Sequence, residues 1–203
     1  MHFMTAASIQ LSVITNTWQR PKHLAGLLQQ ISQQSLGGLS IEHLVISDGP
    51  DPIAAALMKH SNSRYFELET NQGCYGVAAK DLGIAHAQGE YVCFWDDDNL
   101  YEPHALTALY CTTKGHDIGI VQTEHWSVTN RHYVQIPRNW SGKVQPGDID
   151  TMCLCVRTEL AKVVPWNSPP HKRGTDHRWL SRLLAEPRDV NHVKIVIGKH
   201  LTF

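Results

Sequence analysis

Apolar and polar residues follow each other along this chain in short blocks whose period changes in a regular way. Ile9 to Ile14 alternates loosely and predicts a first strand. Thr15-Asn16-Thr17-Trp18-Gln19-Arg20 reads as a polar loop, and Pro21 suits the first turn of a helix. Leu24, Leu27, Leu28 and Ile31 continue that helix at helical spacing, and Gly37-Gly38 ends it. Ile41 to Ile46 predicts a second strand, closed by the turn cluster Ser47-Asp48-Gly49-Pro50-Asp51. A short helix over Ile53 to His60 and a third strand over Arg64 to Leu68 follow, then a break at Asn71-Gln72-Gly73. Val77 to Ala87 is Ala-rich and helical, with Gly89 where a C-terminal cap would sit. Tyr91-Val92-Cys93-Phe94-Trp95 is short, β-branched and aromatic, the pattern of a buried strand.

Pro103 starts a further helix to about Thr113, and Ile118 to Gln122 is another strand. After that the pattern changes. His125 to Pro137 predicts a hairpin or meander, and Val144 to Asp150 a loop. Thr151 to Val156 is a strand, Glu159 to Val164 a short helix, and Pro165 to Gly174 a loop. Asp176 to Glu186 is an amphipathic helix carrying Trp179, Leu180, Leu183 and Leu184, and Val193 to Ile197 is a last strand. Strands alternating with helices imply an α/β fold, a mostly parallel central sheet flanked by helices. The second half adds a small mixed subregion. No repeat or linker interrupts the chain, so one compact domain over 1–203 is expected, with a nucleotide-binding half over 1–113 and a second half over 114–203.

The buried strand ends in three aspartates, Asp96-Asp97-Asp98. Adjacent negative charges repel and resist burial, so a strand needs a reason to end this way. A divalent cation is the usual one. In open α/β sheets the ligand crevice lies at the carboxyl ends of the strands. Carboxylates delivered there suit Mg²⁺ or Mn²⁺, hard ions that prefer oxygen ligands and phosphate partners. Two other strand ends point to the same edge, one carrying Thr15 and Thr17 and the other Asp48. Each alone reads as a cap or a turn residue. A turn explanation does not account for their convergence.

Composition narrows the classes. Hydrophobic residues are 42% and charged residues 18%, a globular balance. A net charge of -1 argues against nonspecific nucleic-acid binding, which needs a basic surplus. No apolar stretch has the length of a membrane span, and Met1-His2-Phe3-Met4-Thr5 lacks the pattern of a secretory signal. The five cysteines show no zinc-ribbon or redox spacing, so reduced thiols in a core, and a cytoplasmic protein, are expected.

Four ordered blocks between about Ser12 and Leu106 resemble the family 2 glycosyltransferases, which have the Rossmann-like GT-A fold. They are Val13-Ile14-Thr15-Asn16-Thr17-Trp18-Gln19-Arg20-Pro21, Leu44-Val45-Ile46-Ser47-Asp48-Gly49-Pro50-Asp51, Asn71-Gln72-Gly73 with Ala79-Lys80-Asp81-Leu82-Gly83-Ile84, and Gly89-Glu90-Tyr91 through Asp96-Asp97-Asp98-Asn99. Thr15 stands where the family has proline, Ser47 where it has the first aspartate of a pair, and Lys80 where it has arginine. The second half is more faintly similar, through Gly147-Asp148-Ile149-Asp150 and Gly174-Thr175-Asp176-His177-Arg178-Trp179, with Thr175 in place of a glutamate.

The resemblance implies a metal-dependent, inverting transfer of a hexose from a nucleotide sugar, a UDP-sugar such as UDP-glucose favoured, to a hydroxyl of a glycan, lipid or protein. It implies that Thr15, Thr17, Arg20, Asp48, Asn71, Gly73, Lys80, Asp96 and Asp97 belong to the nucleotide-sugar site. Asp97 faces away from Asp96 and Asp98, because alternate residues of extended chain face opposite sides. Asp98 would ligate Mn²⁺ or Mg²⁺ within the DXD motif, with His200 as a further ligand and His177 behind it. Asp176 would be the catalytic base, although a carboxylate at a helix start also has a plain electrostatic reading. Lys172 and Arg173 are candidates for phosphate, and Trp126, Trp140 and Trp166 for a sugar face, each against the simpler reading of surface charge or core packing. Two alternatives stay open. A nucleotidyltransferase would want a Gly-rich loop after the first strand, which this chain lacks. A noncatalytic nucleotide-sugar-binding protein would keep the fold without turnover.

Overall fold

The computed structural model describes residues 8–167 and 174–201. Its elements, in chain order, are β1 (Leu11–Thr17), α1 (Pro21–Ser32), β2 (Ile41–Ser47), α2 (Pro52–Met58), β3 (Arg64–Glu67), α3 (Val77–His86), β4 (Tyr91–Phe94), β5 (Leu100–Tyr101), α4 (Ala105–Thr113), β6 (Ile118–Ser127), β7 (His132–Ile136), β8 (Leu154–Arg157), α5 (Thr158–Val163), α6 (Thr175–Leu183) and β9 (Val190–Lys199). Single 3₁₀ turns cover Cys74–Gly76 and Thr151–Cys153. Among the described residues the strands form one sheet in the order β3-β2-β1-β4-β8-β6-β9-β5, with β7 paired to β6. The β3-β2-β1-β4 half is parallel. Beyond it β8 is antiparallel to β4 and β6, β7 is antiparallel to β6, and β9 runs parallel to β6.

Helices cover the sheet, and the central strands are buried along most of their length. Alternate residues divide the core. Ile14, Leu44, Ile46 and Phe94 face one side, against Val77, Ile84, Trp179, Leu180 and Leu183 of α3 and α6. Leu11, Val13 and Trp95 face the other, against Leu27 of α1 and Leu106 and Leu109 of α4. Trp166 is 2% exposed and stacks on Trp179 at 4.1 Å, with Phe94 edge-on to both. It is a core residue and not a sugar platform. Trp140 also packs against this core.

Several boundaries depart from the periodicity, each for a physical reason. The predicted polar loop begins too early, because Thr15, Asn16 and Thr17 continue β1. Their hydroxyls find partners inside: Thr15 Oγ1 lies 2.9 Å from His43 Nε2, and Thr17 Oγ1 donates to Asp97 Oδ2 at 2.6 Å. α1 stops at Ser32, short of Gly37-Gly38. Gly89 is not the cap of α3, which is Ala87. A Cβ at Gly89 would stand 2.6 Å from the Ser12 amide nitrogen, so glycine is there to let the chain pass close to β1. The Thr151 strand starts as a 3₁₀ turn because Asp150 caps it, accepting from the Met152 amide at 2.9 Å. β5 is too short for any period to reveal. Cys93, Cys153 and Cys155 are buried and unbridged, and no described helix is long and apolar enough to cross a membrane.

His43, on β2 beside β1, has Nε2 against Thr15 and Nδ1 2.8 Å from Ser63 Oγ. Burial disfavours its cation and pushes its pKa down to about 4. The unfolded chain takes up this proton near pH 6.5 and the folded chain only near pH 4. Between those values the unfolded state holds more protons, so stability falls as pH drops through that window, by roughly 3 kcal/mol in all. Urea unfolding at stepped pH should show this loss in the wild type and a flatter profile in His43→Gln. Parallel profiles would show that His43 does not titrate this way.

Candidate active site

Strand register brings the polar residues to one edge. β1 pairs β2 from Leu11 opposite Ile41 to Thr17 opposite Ser47, so both strands end level. β4 pairs β1 only as far as Phe94 opposite Ile14, and the Trp95 amide still bonds to Ile14 O at 2.9 Å. Residues 96–98 therefore leave the sheet below the end of β1. Around this edge lies a cavity of about 470 Å³. Of the residues expected from sequence, Thr17, Arg20, Asp48, Asn71, Gly73, Lys80, Asp96, Asp98, Asp176 and His200 line it. Thr15 and Asp97 do not. Thr15 is fully buried against His43, and Asp97 is 3% exposed.

The three aspartates meet different partners. Asp97 accepts from Thr17 and lies 3.0 Å from Arg20 Nη2. Burial, helped by the charges of Asp98 and Asp96, lifts its pKa to about 6, against the Thr17 bond and Arg20. Asp98 pairs with Arg20 Nη1 at 2.5 Å. Burial would lower the pKa of Arg20, but the Asp97 and Asp98 charges outweigh it and raise it. Asp96 Oδ1 is buried with no hydrogen-bond partner, and its nearest cation is Lys80 Nζ at 3.7 Å. Lys80 is itself 3% exposed on α3, donates to Tyr75 O at 3.3 Å and lies over the Trp166 ring.

Asp48 organises the adjoining wall. Its carboxylate accepts from the Gln72 amide at 2.9 Å and the Gly73 amide at 2.8 Å, and Asn71 Nδ2 donates to Asp48 O at 2.8 Å. Beyond this grip the chain keeps a positive φ for four residues: Gly73 (φ 62), Cys74 (φ 53), Tyr75 (φ 61) and Gly76 (φ 68). That conformation strains the two non-glycine residues by about 1–3 kcal/mol each. It places Tyr75, 56% exposed, at the cavity mouth. Trp18 also lines the cavity, and its ring would lie 2.9 Å from a Cβ at Gly49.

On the opposite wall α6 starts at Thr175 after Gly174, whose φ is 78. Asp176 falls in its first turn and accepts from the His177 amide at 2.8 Å. Burial raises the pKa of Asp176, and Asp150 adds to this, while the His177 bond and Lys80 oppose it. His200 is held beside β6 by its amide, which donates to Glu124 O at 2.8 Å. Its ring stacks on His125 at 4.0 Å, and both rings face one oxygen of Asp150: His125 Nε2 at 2.9 Å and His200 Nδ1 at 3.4 Å. Burial alone would raise the pKa of Asp150. The His125 bond and the charges of His200 and His125 outweigh it, and the net shift is downward. His125, Asp150 and His200 thus bring three potential ligand atoms within 4.8 Å of one another. Sequence reasoning quoted Asp150 and Trp18 inside family-like blocks without giving either a role, and it missed His125 and Tyr75 as parts of this region, Tyr75 following the Asn71-Gln72-Gly73 block by two residues and His125 lying in no block. Lys172 and Arg173 lie outside the described residues.

Comparison with known proteins is consistent across sequence and fold. The model for glycosyl transferase family 2 matches residues 12–167. The cholesterol galactosyltransferase of Borreliella burgdorferi is 29% identical over 119 residues, 58% of this chain and 33% of that protein. The glycosyltransferase GlyG of Streptococcus pneumoniae is 28% identical over 116 residues, 55% of this chain and 37% of that one. The matched region thus spans about a third of the length of these relatives. Among solved structures, S. aureus TarS 1-349 in complex with UDP superposes with a TM-score of 0.74 at 18% identity, covering 94% of this chain and 60% of that chain. The mannosyltransferase PcManGT of Pyrobaculum calidifontis, in complex with GDP-Man and Mn²⁺, gives 0.69 at 16% identity, covering 94% and 56%. These likenesses establish the GT-A fold.

The Thr17 hydroxyl holds Asp97 in its charged form, so Thr17→Val should move the Asp97 titration midpoint upward from about 6. Carbon NMR of the carboxylates reads this directly. An unmoved midpoint would show that Thr17 does not stabilise the carboxylate.

Proposed function

The chain belongs to glycosyl transferase family 2, and on that premise we propose a metal-dependent, inverting glycosyltransferase. It moves a hexose from a nucleoside diphosphate sugar to an acceptor hydroxyl, with a UDP-sugar such as UDP-glucose as the favoured donor. The observation that carries this reading is one cavity into which Asp96 and Asp98 from the end of β4, Asp176 from the start of α6, and the cations Arg20 and Lys80 all face. The UDP and UDP-GlcNAc held by TarS, and the GDP-Man and Mn²⁺ held by PcManGT, support the ligand class.

The donor set fits a divalent cation. Asp96 brings a buried carboxylate oxygen without a hydrogen-bond partner, Asp98 a second carboxylate and His200 an imidazole. Oxygen-rich sets of this kind suit Mn²⁺ or Mg²⁺. Bound there, the ion would stabilise charge developing on the diphosphate leaving group. Arg20 and Lys80 bring positive charge to the same wall and balance the phosphates. Thr17, Asp48, Asn71 and Gly73 form the wall assigned to base and ribose. Asp97 lies outside the cavity, where it anchors Thr17 and Arg20 and does not touch the donor, and Thr15 supports β1 through His43.

Asp176 takes the proton of the attacking hydroxyl. A hydroxyl is a poor nucleophile until a positioned carboxylate accepts its proton, and a carboxylate of raised pKa does so nearer neutral pH. A single base on the face of the sugar opposite the leaving group gives inversion. Protonating Asp176 abolishes this role, so the rate should fall as pH drops through its raised pKa, with an acid limb above the ordinary carboxylate range. Asp176→Asn should lower kcat by about 10²–10⁴-fold while leaving UDP affinity unchanged. Donor turnover assays paired with calorimetry measure both. Full turnover in Asp176→Asn would remove the base assignment. UDP binding without turnover in the wild type, against any acceptor, would favour a noncatalytic nucleotide-sugar-binding protein.

A further inference from the structure

The donor cavity does not end at Asp176. A second cavity of about 650 Å³ shares Tyr75, Gly174, Asp176 and His200 with it. A third, of about 520 Å³, shares His125, Ile136, Pro146 and Gly147 with the second. The three make one groove, running from the strand ends, past the start of α6, and along the β6–β7 hairpin. Each has the size of a small-ligand site. The glycosyltransferase reading uses only the first and the edge of the second.

The far cavity has its own chemistry. Trp126, on β6, is 40% exposed there. Tyr133 holds its ring edge-to-face at 5.4 Å, and Lys199 covers the other partner by lying 4.4 Å over the Tyr133 ring. The indole is braced by Tyr133 and keeps 40% of its surface exposed at the cavity. Its surroundings are Ser127, Asn139 and Gln145, which are neutral donors and acceptors. The charged residues lining it balance, Arg138 against Asp148, and the Arg138 amide donates to Asp148 Oδ1 at 3.3 Å.

A flat apolar face ringed by amides and a hydroxyl complements a pyranose, which has one apolar C–H face and a rim of hydroxyls. An acyl chain would leave those amides unpaired, at a cost for each. An anionic polymer would meet no basic surplus. We propose that this groove binds the acceptor as a neutral oligosaccharide, its terminal sugar in the middle cavity beside Asp176 and the preceding sugars running across Trp126. The proposal rests on the glycosyltransferase reading and adds to it the acceptor class, its length and its direction.

The test separates the two. Calorimetry with UDP and Mn²⁺ establishes the donor site first. A panel of neutral oligosaccharides of graded length, with uronic-acid and sulfated counterparts, is then titrated into the UDP-loaded protein. Affinity should rise from monosaccharide to longer neutral chains. Trp126→Ala should weaken the longer chains by about tenfold while leaving monosaccharide and UDP binding unchanged. Asn139→Ala, a second exposed position, should act in the same direction. UDP binding with no glycan binding overturns the groove and spares the donor site. Equal affinity at every length, or a preference for the acidic chains, overturns it as well. Failure of UDP itself to bind removes the glycosyltransferase reading, and this proposal with it.

Discussion

Three carboxylates on consecutive residues at the end of a fully buried strand constrain everything near them. They repel one another, and burial makes the middle one, Asp97, harder to ionise. The fold answers by giving each a separate environment. Asp97 turns beneath β1 to Thr17 and Arg20 and reaches a pKa of about 6. Asp98 takes the other arm of Arg20. Asp96 keeps an oxygen without a hydrogen-bond partner, near Lys80. Arg20 is the residue before α1, and Lys80 lies one turn into α3. The positions of two helices on opposite faces of the sheet are thus tied to charge balance at one strand end.

The same logic shows which parts of the fold could be read from sequence. β2 and β4 were legible as short apolar runs between turn signals, the pattern of strands buried on both faces, and α3 as an Ala-rich segment of helical length. The end of β1 was not. Thr15 and Thr17 look like loop residues until their partners are known, and those partners, His43 and Asp97, lie 28 and 80 positions away. Gly89 carries the residue type of a cap, but its role is a close approach to Ser12, distant in sequence. Trp166 has the composition of a sugar platform and the burial of a core residue.

The site was legible to a similar depth. The convergence of Thr17, Asp48 and Asp96 to Asp98 follows from strands ending at one edge, which topology alone dictates. Convergence of the second half does not follow from any local pattern. Asp150, His125 and His200 come from a loop, β6 and the end of β9, and only the parallel pairing of β6 with β9 sets the two imidazoles on one carboxylate oxygen. That cluster lies between the proposed donor cavity and the proposed acceptor groove. Its carboxylate bonds to His125 and lies 3.4 Å from His200 Nδ1, so the two halves of the proposed site meet at a point that sequence spacing does not mark.

In the proposed site everything turns on Asp98, which would bind a divalent cation that in turn holds a nucleoside diphosphate. Calorimetric titration of UDP with and without Mn²⁺, on the wild type and on Asp98→Ala, tests it most directly. UDP should bind the wild type in an Mn²⁺-dependent way and fail to bind the variant. UDP binding of equal strength with and without Mn²⁺, unchanged in Asp98→Ala, would contradict it.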